Sequence, residues 1–174
     1  IDGVDRSSHN PRVTSGLGVI PRVVSNGRAI YRGKIGRAEA EARLSTCWHP
    51  YHTALQCAID EHRRLFGEAT LIDMHSMPRE AIDGFGRGNG ARPDVVLGDR
   101  FGAAASAGIV TRIEAAFAAA GLIVVRNAPF AGAYITQHYG RPVSGQHVVQ
   151  IEIDRSLYMD EATLRVHTGF EDMR

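Results

Sequence analysis

Residues 147–154 read HVVQIEID, and this stretch decides the fold class. Apolar and polar side chains alternate along it, which is the period of a β-strand, and the polar ones stand at positions 150, 152 and 154. A carboxylate in the middle of such a strand is costly to bury unless it is paired or binds a metal. Glu152 is therefore either a buried general base or a side chain on a solvent-exposed sheet face, and the pattern leaves both open.

Other apolar runs before this stretch predict three more strands of one sheet, at residues 69–75, 93–98 and 122–125. Helical periodicity covers residues 38–66, with a break or kink expected at Pro50, and residues 103–120. We also expect a short strand within residues 19–24, loops at 76–92 and 127–145, and a short helix beginning near Met159. This order predicts a single α/β domain over residues 1–174, with a mixed, mostly parallel sheet flanked by helices.

Charge and composition exclude some classes of function. Twenty basic and 19 acidic residues leave a net charge of +1, which argues against a nucleic-acid-binding protein. No segment reaches the roughly 18 consecutive apolar residues of a membrane helix. Cys47 and Cys57 lie ten residues apart in one predicted helix, too far for a disulfide. We therefore expect a cytoplasmic protein without nucleic-acid or membrane partners.

A second candidate site lies at the end of the predicted strand 69–75. Asp73 and His75 are two residues apart and so share one face of that strand. A neutral histidine at this position is a suitable zinc ligand, and a nearby carboxylate could orient its other nitrogen. The alternative is a hydrogen-bonded histidine with no metal role. The sequence contains no HExxH, Gly-x-Ser-x-Gly or Walker motif, so zincin, serine-hydrolase and nucleotide-binding sites are unsupported.

Several segments, taken in order, resemble the N-formylglutamate amidohydrolase family of the zinc-carboxypeptidase-like α/β hydrolases. The resemblance covers nearly the whole chain, and it corresponds to the C-terminal two thirds of the family. The segments include LIDMHSM at 71–77, FAGAYIT at 130–136, YGRP at 139–142 and QIEIDR at 150–155.

The resemblance implies a zinc enzyme that cleaves the amide of a formylated acidic amino acid, a small anionic substrate. It implies that His75 is the last protein ligand of the zinc ion and that Glu152 is the general base. Arg6 is the first candidate for binding the substrate carboxylate, although Asp5 stands where the family has asparagine. Tyr134 is expected to contact the substrate. Because a bidentate guanidinium suits a carboxylate, Arg141 is a further candidate.

The family takes its first two zinc ligands, a histidine and a carboxylate, from a segment before the one that contains Arg6. Because catalytic zinc usually has three protein ligands, we expect the remaining ligands and the first strands of the sheet upstream of residue 1. Two alternatives to the deformylase interpretation stay open. One is another zinc amidase or carboxypeptidase-like hydrolase, and the other is a metal-free ligand-binding domain of the same fold.

Overall fold

The structure is a computed structural model that describes residues 14–24, 26–84 and 92–173. The chain divides into two compact units, residues 1–55 and residues 56–174. In the first unit, Val23 and Ala29 form an isolated antiparallel bridge. The strand expected within residues 19–24 is therefore wrong for the described residues, because a two-residue apolar pair followed by glycine-rich turns supports only this bridge.

The predicted helix over residues 38–66 is confirmed in extent, but it contains an irregular turn. Helix α1 spans Arg37–Arg43, a π-helical turn follows at Leu44–Trp48, and helix α2 spans His49–Phe66. Proline has no N–H for the regular helical hydrogen bond, and its ring crowds the preceding turn. The wider π turn lies immediately before Pro50 and accommodates the proline without ending the helix.

The second unit contains a four-stranded mixed sheet. Its strands are β1 (Ala69–Met77), β2 (Val95–Gly98), β3 (Val124–Arg126) and β4 (Gln146–Asp154), in the spatial order β1-β4-β2-β3. The pairs β1–β4 and β2–β3 are parallel, whereas β4 and β2 are antiparallel. The predicted α/β fold with a mixed, mostly parallel sheet is confirmed.

Helix α3 (Ala107–Ala119) packs on the apolar face of the sheet. Ile109 and Val110 of the helix belong to the same hydrophobic cluster as Val149 and Ile151 of β4, and all four are almost completely buried. This is the main hydrophobic core, and it fixes which face of β4 carries the polar side chains. The helix begins at Ala107 instead of residue 103, because the preceding segment turns at Gly102 in the left-handed region.

Helix α4 (Tyr134–Tyr139) lies against the opposite face of β4, in a segment that we predicted to be a loop. Two buried glutamines of β4 bind its two ends. Gln150 accepts a hydrogen bond from the backbone N–H of Ala133 (2.9 Å), and Gln146 donates one to the carbonyl of Tyr139 (2.6 Å). Six residues are too few to show a helical period, so tertiary contacts define this helix.

The predicted helix near Met159 is wrong. Strand β5 (Met159–Asp160) instead pairs with β6 (Arg165–Val166) in an antiparallel hairpin. The Asp160 carboxylate accepts hydrogen bonds from the backbone N–H (2.7 Å) and hydroxyl (2.9 Å) of Thr163, which stabilises a turn where a helix was expected. A single-turn helix, α5, follows at Gly169–Asp172. Within the described ranges, no helix is long and apolar enough to span a bilayer.

Candidate active site

The register of β1 against β4 brings four polar side chains together. His75 pairs with Glu152, and Asp73 pairs with Gln150. We refer to these four residues as the polar cluster. They share the sheet face opposite α3, near the carboxyl ends of two parallel strands, where sites of open α/β sheets are found. Glu152 is only 8% exposed, so it does not lie on a solvent-exposed sheet face.

His75 is oriented by the neighbouring carboxylate. Its Nε2 lies 3.0 Å from Oδ1 of Asp73. A carboxylate accepts hydrogen bonds and cannot donate them when ionised, so the neutral tautomer of His75 with its proton on Nε2 would direct that proton at Asp73 and leave the Nδ1 lone pair free. Nδ1 lies 3.9 Å from Oε1 of Glu152. The other oxygen of Asp73, Oδ2, is buried and has no hydrogen-bond partner among the described residues, which is unusual for a buried polar atom.

Burial raises the pKa of Glu152. Electrostatic interactions with His75 and Arg155 and a hydrogen bond from Gln150 oppose this effect, whereas the charge of Asp73 adds to it. Arg155 is held in place by Ser76, whose hydroxyl and carbonyl accept from its guanidinium at 3.0 and 3.1 Å. A desolvated carboxylate with increased proton affinity is suited to act as a general base near neutral pH.

A close approach of two glycines places the segment before α4 over the end of β2. Gly98 pairs with Gln150, and a Cβ on Gly98 would lie 2.6 Å from the backbone nitrogen of Gly132. Gly132 itself has φ of +107°, which L-residues rarely adopt. The absence of side chains at both positions lets Ala133 reach Gln150.

The structure describes two of the three predicted substrate-binding residues, Tyr134 and Arg141, and they occupy different positions relative to the polar cluster. Tyr134 follows Ala133 at the start of α4, on the same face of the sheet as the polar cluster, and its ring stacks on His138. Arg141 bridges to Gln146 at the start of β4, so it lies about 20 Å along the strand from Glu152. The structure therefore does not bring Arg141 to Glu152. Arg6 lies outside the described residues.

The polar cluster fits one part of a zinc site. The Nδ1 lone pair of His75, on a ring oriented by a carboxylate, has the properties of a metal ligand with its usual supporting partner. Within residues 14–24, 26–84 and 92–173, no group of three or more His, Cys, Asp or Glu side chains has the geometry to hold a metal ion. Three protein ligands are usual for catalytic zinc, so a complete site needs ligands from outside these residues.

Sequence reasoning gave no role to Gln150. The alternation along residues 147–154 already placed it on the same face as Glu152. Its contact with Ala133 depends on a short helix that the sequence did not reveal.

The geometry as a whole is typical of an α/β hydrolase that activates a water molecule: an oriented imidazole beside a buried carboxylate at the carboxyl ends of parallel strands.

Comparisons with known proteins agree with this class. The family model for N-formylglutamate amidohydrolase matches residues 3–159, and the chain belongs to this family. It is 37% identical over 151 residues to an N-formylglutamate deformylase of Pseudomonas aeruginosa, covering 85% of this chain and 56% of the relative. It is 33% identical over 147 residues to the deformylase of Pseudomonas putida, covering 83% and 54%.

A solved structure also matches. The N-formylglutamate amidohydrolase from Ralstonia eutropha JMP134 superposes with a TM-score of 0.84 at 33% identity, covering 93% of this chain and 58% of that one. The chain thus spans about half the length of the curated relatives that it matches. The resemblance to the family that the sequence motifs indicated is confirmed.

Proposed function

We propose that this chain forms part of an enzyme that hydrolyses the formyl amide of N-formyl-L-glutamate, releasing formate and glutamate. The observation that carries the proposal is the placement of His75 beside the buried Glu152, in a chain of the N-formylglutamate amidohydrolase family. The names of the two deformylases support the substrate.

In the proposed reaction, Glu152 accepts a proton from the water that attacks the formyl carbon. It then delivers this proton to the amide nitrogen as the C–N bond breaks, so that glutamate leaves with a neutral amine. The burial that raises the pKa of Glu152 increases its affinity for this proton. Arg155 lies close enough for its positive charge to favour the ionised form of Glu152 before the reaction.

A zinc ion held by Nδ1 of His75 and by ligands outside the described residues would supply a Lewis acid that acidifies water and polarises the formyl carbonyl. Asp73 supports this role because it fixes the protonated nitrogen of His75 on the far side of the ring. For the substrate, we propose Arg6 as the partner of a carboxylate and Tyr134 as a further contact. Arg141 is left out, because β4 places it far from Glu152.

A substrate panel tests the proposal. Protein from the complete reading frame, supplied with zinc, is assayed with N-formyl-L-glutamate, N-formyl-L-aspartate, N-acetyl-L-aspartate and short peptides. We expect formate release with the highest kcat/KM for N-formyl-L-glutamate. Cleavage of another acyl group or of peptides in preference would indicate a different amidase on the same fold. The absence of turnover on every substrate, together with no bound zinc, would support a ligand-binding domain.

A further inference from the structure

Gln150 lies between helix α4 and Glu152 and forms a hydrogen bond with each. Its Oε1 accepts from the backbone N–H of Ala133, and its Nε2 donates to Oε1 of Glu152, both at 2.9 Å. The side chain is 3% exposed, so water does not replace either bond easily. A backbone N–H can only donate and an ionised carboxylate can only accept, so the orientation of the amide is determined at both ends.

This arrangement limits the motion of the Glu152 carboxylate. The terminal torsion of a glutamate has a broad energy well, so a carboxylate without a fixed donor samples many orientations. The donor here is rigid, because Gln150 is bound to Ala133, the N-cap residue of α4. Ala133 is in turn held by the close approach of Gly132 to Gly98.

We propose that Gln150 is a positioning residue, which holds the Glu152 carboxylate in the orientation that accepts the proton and links it to the end of α4 that carries Tyr134. The inference rests on the proposed function, since it assigns Gln150 to the reaction that Glu152 would perform. Gln150 reaches the chemistry only through Glu152. Its loss should therefore lower kcat and leave KM almost unchanged.

The chain contains a matched control on the same strand. Gln146 is also 3% exposed, lies on the same face four residues earlier, and binds the other end of α4 through the Tyr139 carbonyl. Gln146 and Gln150 thus make comparable structural contacts with one helix. Of these two glutamines, only Gln150 forms a hydrogen bond with Glu152. A purely structural role for Gln150 predicts similar effects from both substitutions.

The experiment measures kcat, KM and urea unfolding for Gln150→Leu, Gln150→Met and Gln146→Leu in protein from the complete reading frame. Leucine at 150 removes both hydrogen bonds. We expect kcat to fall by about 100-fold, the order of loss that follows from misplacing a catalytic group by an ångström, with KM within about twofold. Methionine at 150 keeps the length of the side chain, adds no charge and removes the donor for Glu152, so it tests the same point if the leucine variant does not fold.

Gln146→Leu should lose similar stability and keep kcat within about threefold of the wild type. Wild-type kcat in a folded position-150 variant, or an equal loss of kcat in Gln146→Leu at matched stability, would overturn the proposal. Formate release by the wild-type protein is measured in the same series. If the wild type releases none, the proposed function itself fails, and the role of Gln150 fails with it.

Discussion

Replacing Gly98 with alanine tests how the candidate site is held together. The added Cβ would lie 2.6 Å from the nitrogen of Gly132 and 2.7 Å from the carbonyl carbon of Ala131. Both are backbone atoms, so no side-chain rotation can relieve the contact. An ordinary contact begins near 3.4 Å, which means that the segment before α4 must move by about 0.8 Å. We expect Gly98→Ala to destabilise the protein by about 2 kcal/mol, as other overpacked sites are.

The same movement would weaken the bond between Ala133 and Gln150, and so reduce turnover as well. Urea unfolding measures the loss of stability, and kcat measures the loss of turnover. Gly108 is the control, because it is exposed near the start of α3, has no atom within 4 Å of an added Cβ and does not have a left-handed φ. Gly108→Ala should be neutral or stabilise by up to about 1 kcal/mol. A Gly98→Ala protein as stable and active as the wild type would refute this account of the loop.

Three other predictions concern charged groups. Arg79 forms an ion pair with the fully buried Asp154, so Arg79→Ala leaves an uncompensated carboxylate and should cost about 3 kcal/mol in urea unfolding. Arg37→Ala breaks an exposed helical pair and should shift the urea midpoint far less. Equal losses of stability would contradict the assignment of the Arg79–Asp154 pair. Burial raises the pKa of Glu152, and a general base must be ionised to accept a proton. We therefore expect kcat/KM to fall with decreasing pH, with an apparent pKa above the ordinary glutamate value of about 4.3. A kcat/KM that stays constant down to pH of about 4.3 would argue against Glu152 as the base. Asp73→Asn keeps an acceptor for His75 but loses the negative charge. The zinc affinity, measured by chelator competition, should drop by about 10- to 100-fold. An unchanged zinc affinity would show that Asp73 does not support the metal site.

The sequence predicted the elements of the site better than their arrangement. The alternation in residues 147–154 identified the strand and placed Gln150 and Glu152 on one face. The two-residue spacing of Asp73 and His75 did the same for β1. Strands β1 and β4 are neighbours because two segments separated by about 70 residues pair in parallel register. Local patterns do not contain this pairing, because the contacts that select it are non-local.

Two of the wrong predictions share a physical cause. Tyr134–Tyr139 is too short for its own pattern to favour a helix, and hydrogen bonds with two buried glutamines stabilise it. Near Met159, acidic residues typical of a helical first turn are present, but the Asp160 side chain binds Thr163 and closes a turn instead. In both cases a side-chain hydrogen bond to the backbone outweighs weak local propensity.

We propose that Glu152 is the base that transfers the proton and that His75, beside it, binds zinc. Substitution by glutamine keeps the size of the side chain and removes its ability to accept the proton. In protein from the complete reading frame, Glu152→Gln should retain bound zinc in equal stoichiometry to the wild type and lose at least about 100-fold in kcat for N-formyl-L-glutamate. A variant that binds zinc in the same stoichiometry and turns over at nearly the wild-type rate would show that Glu152 is not the base.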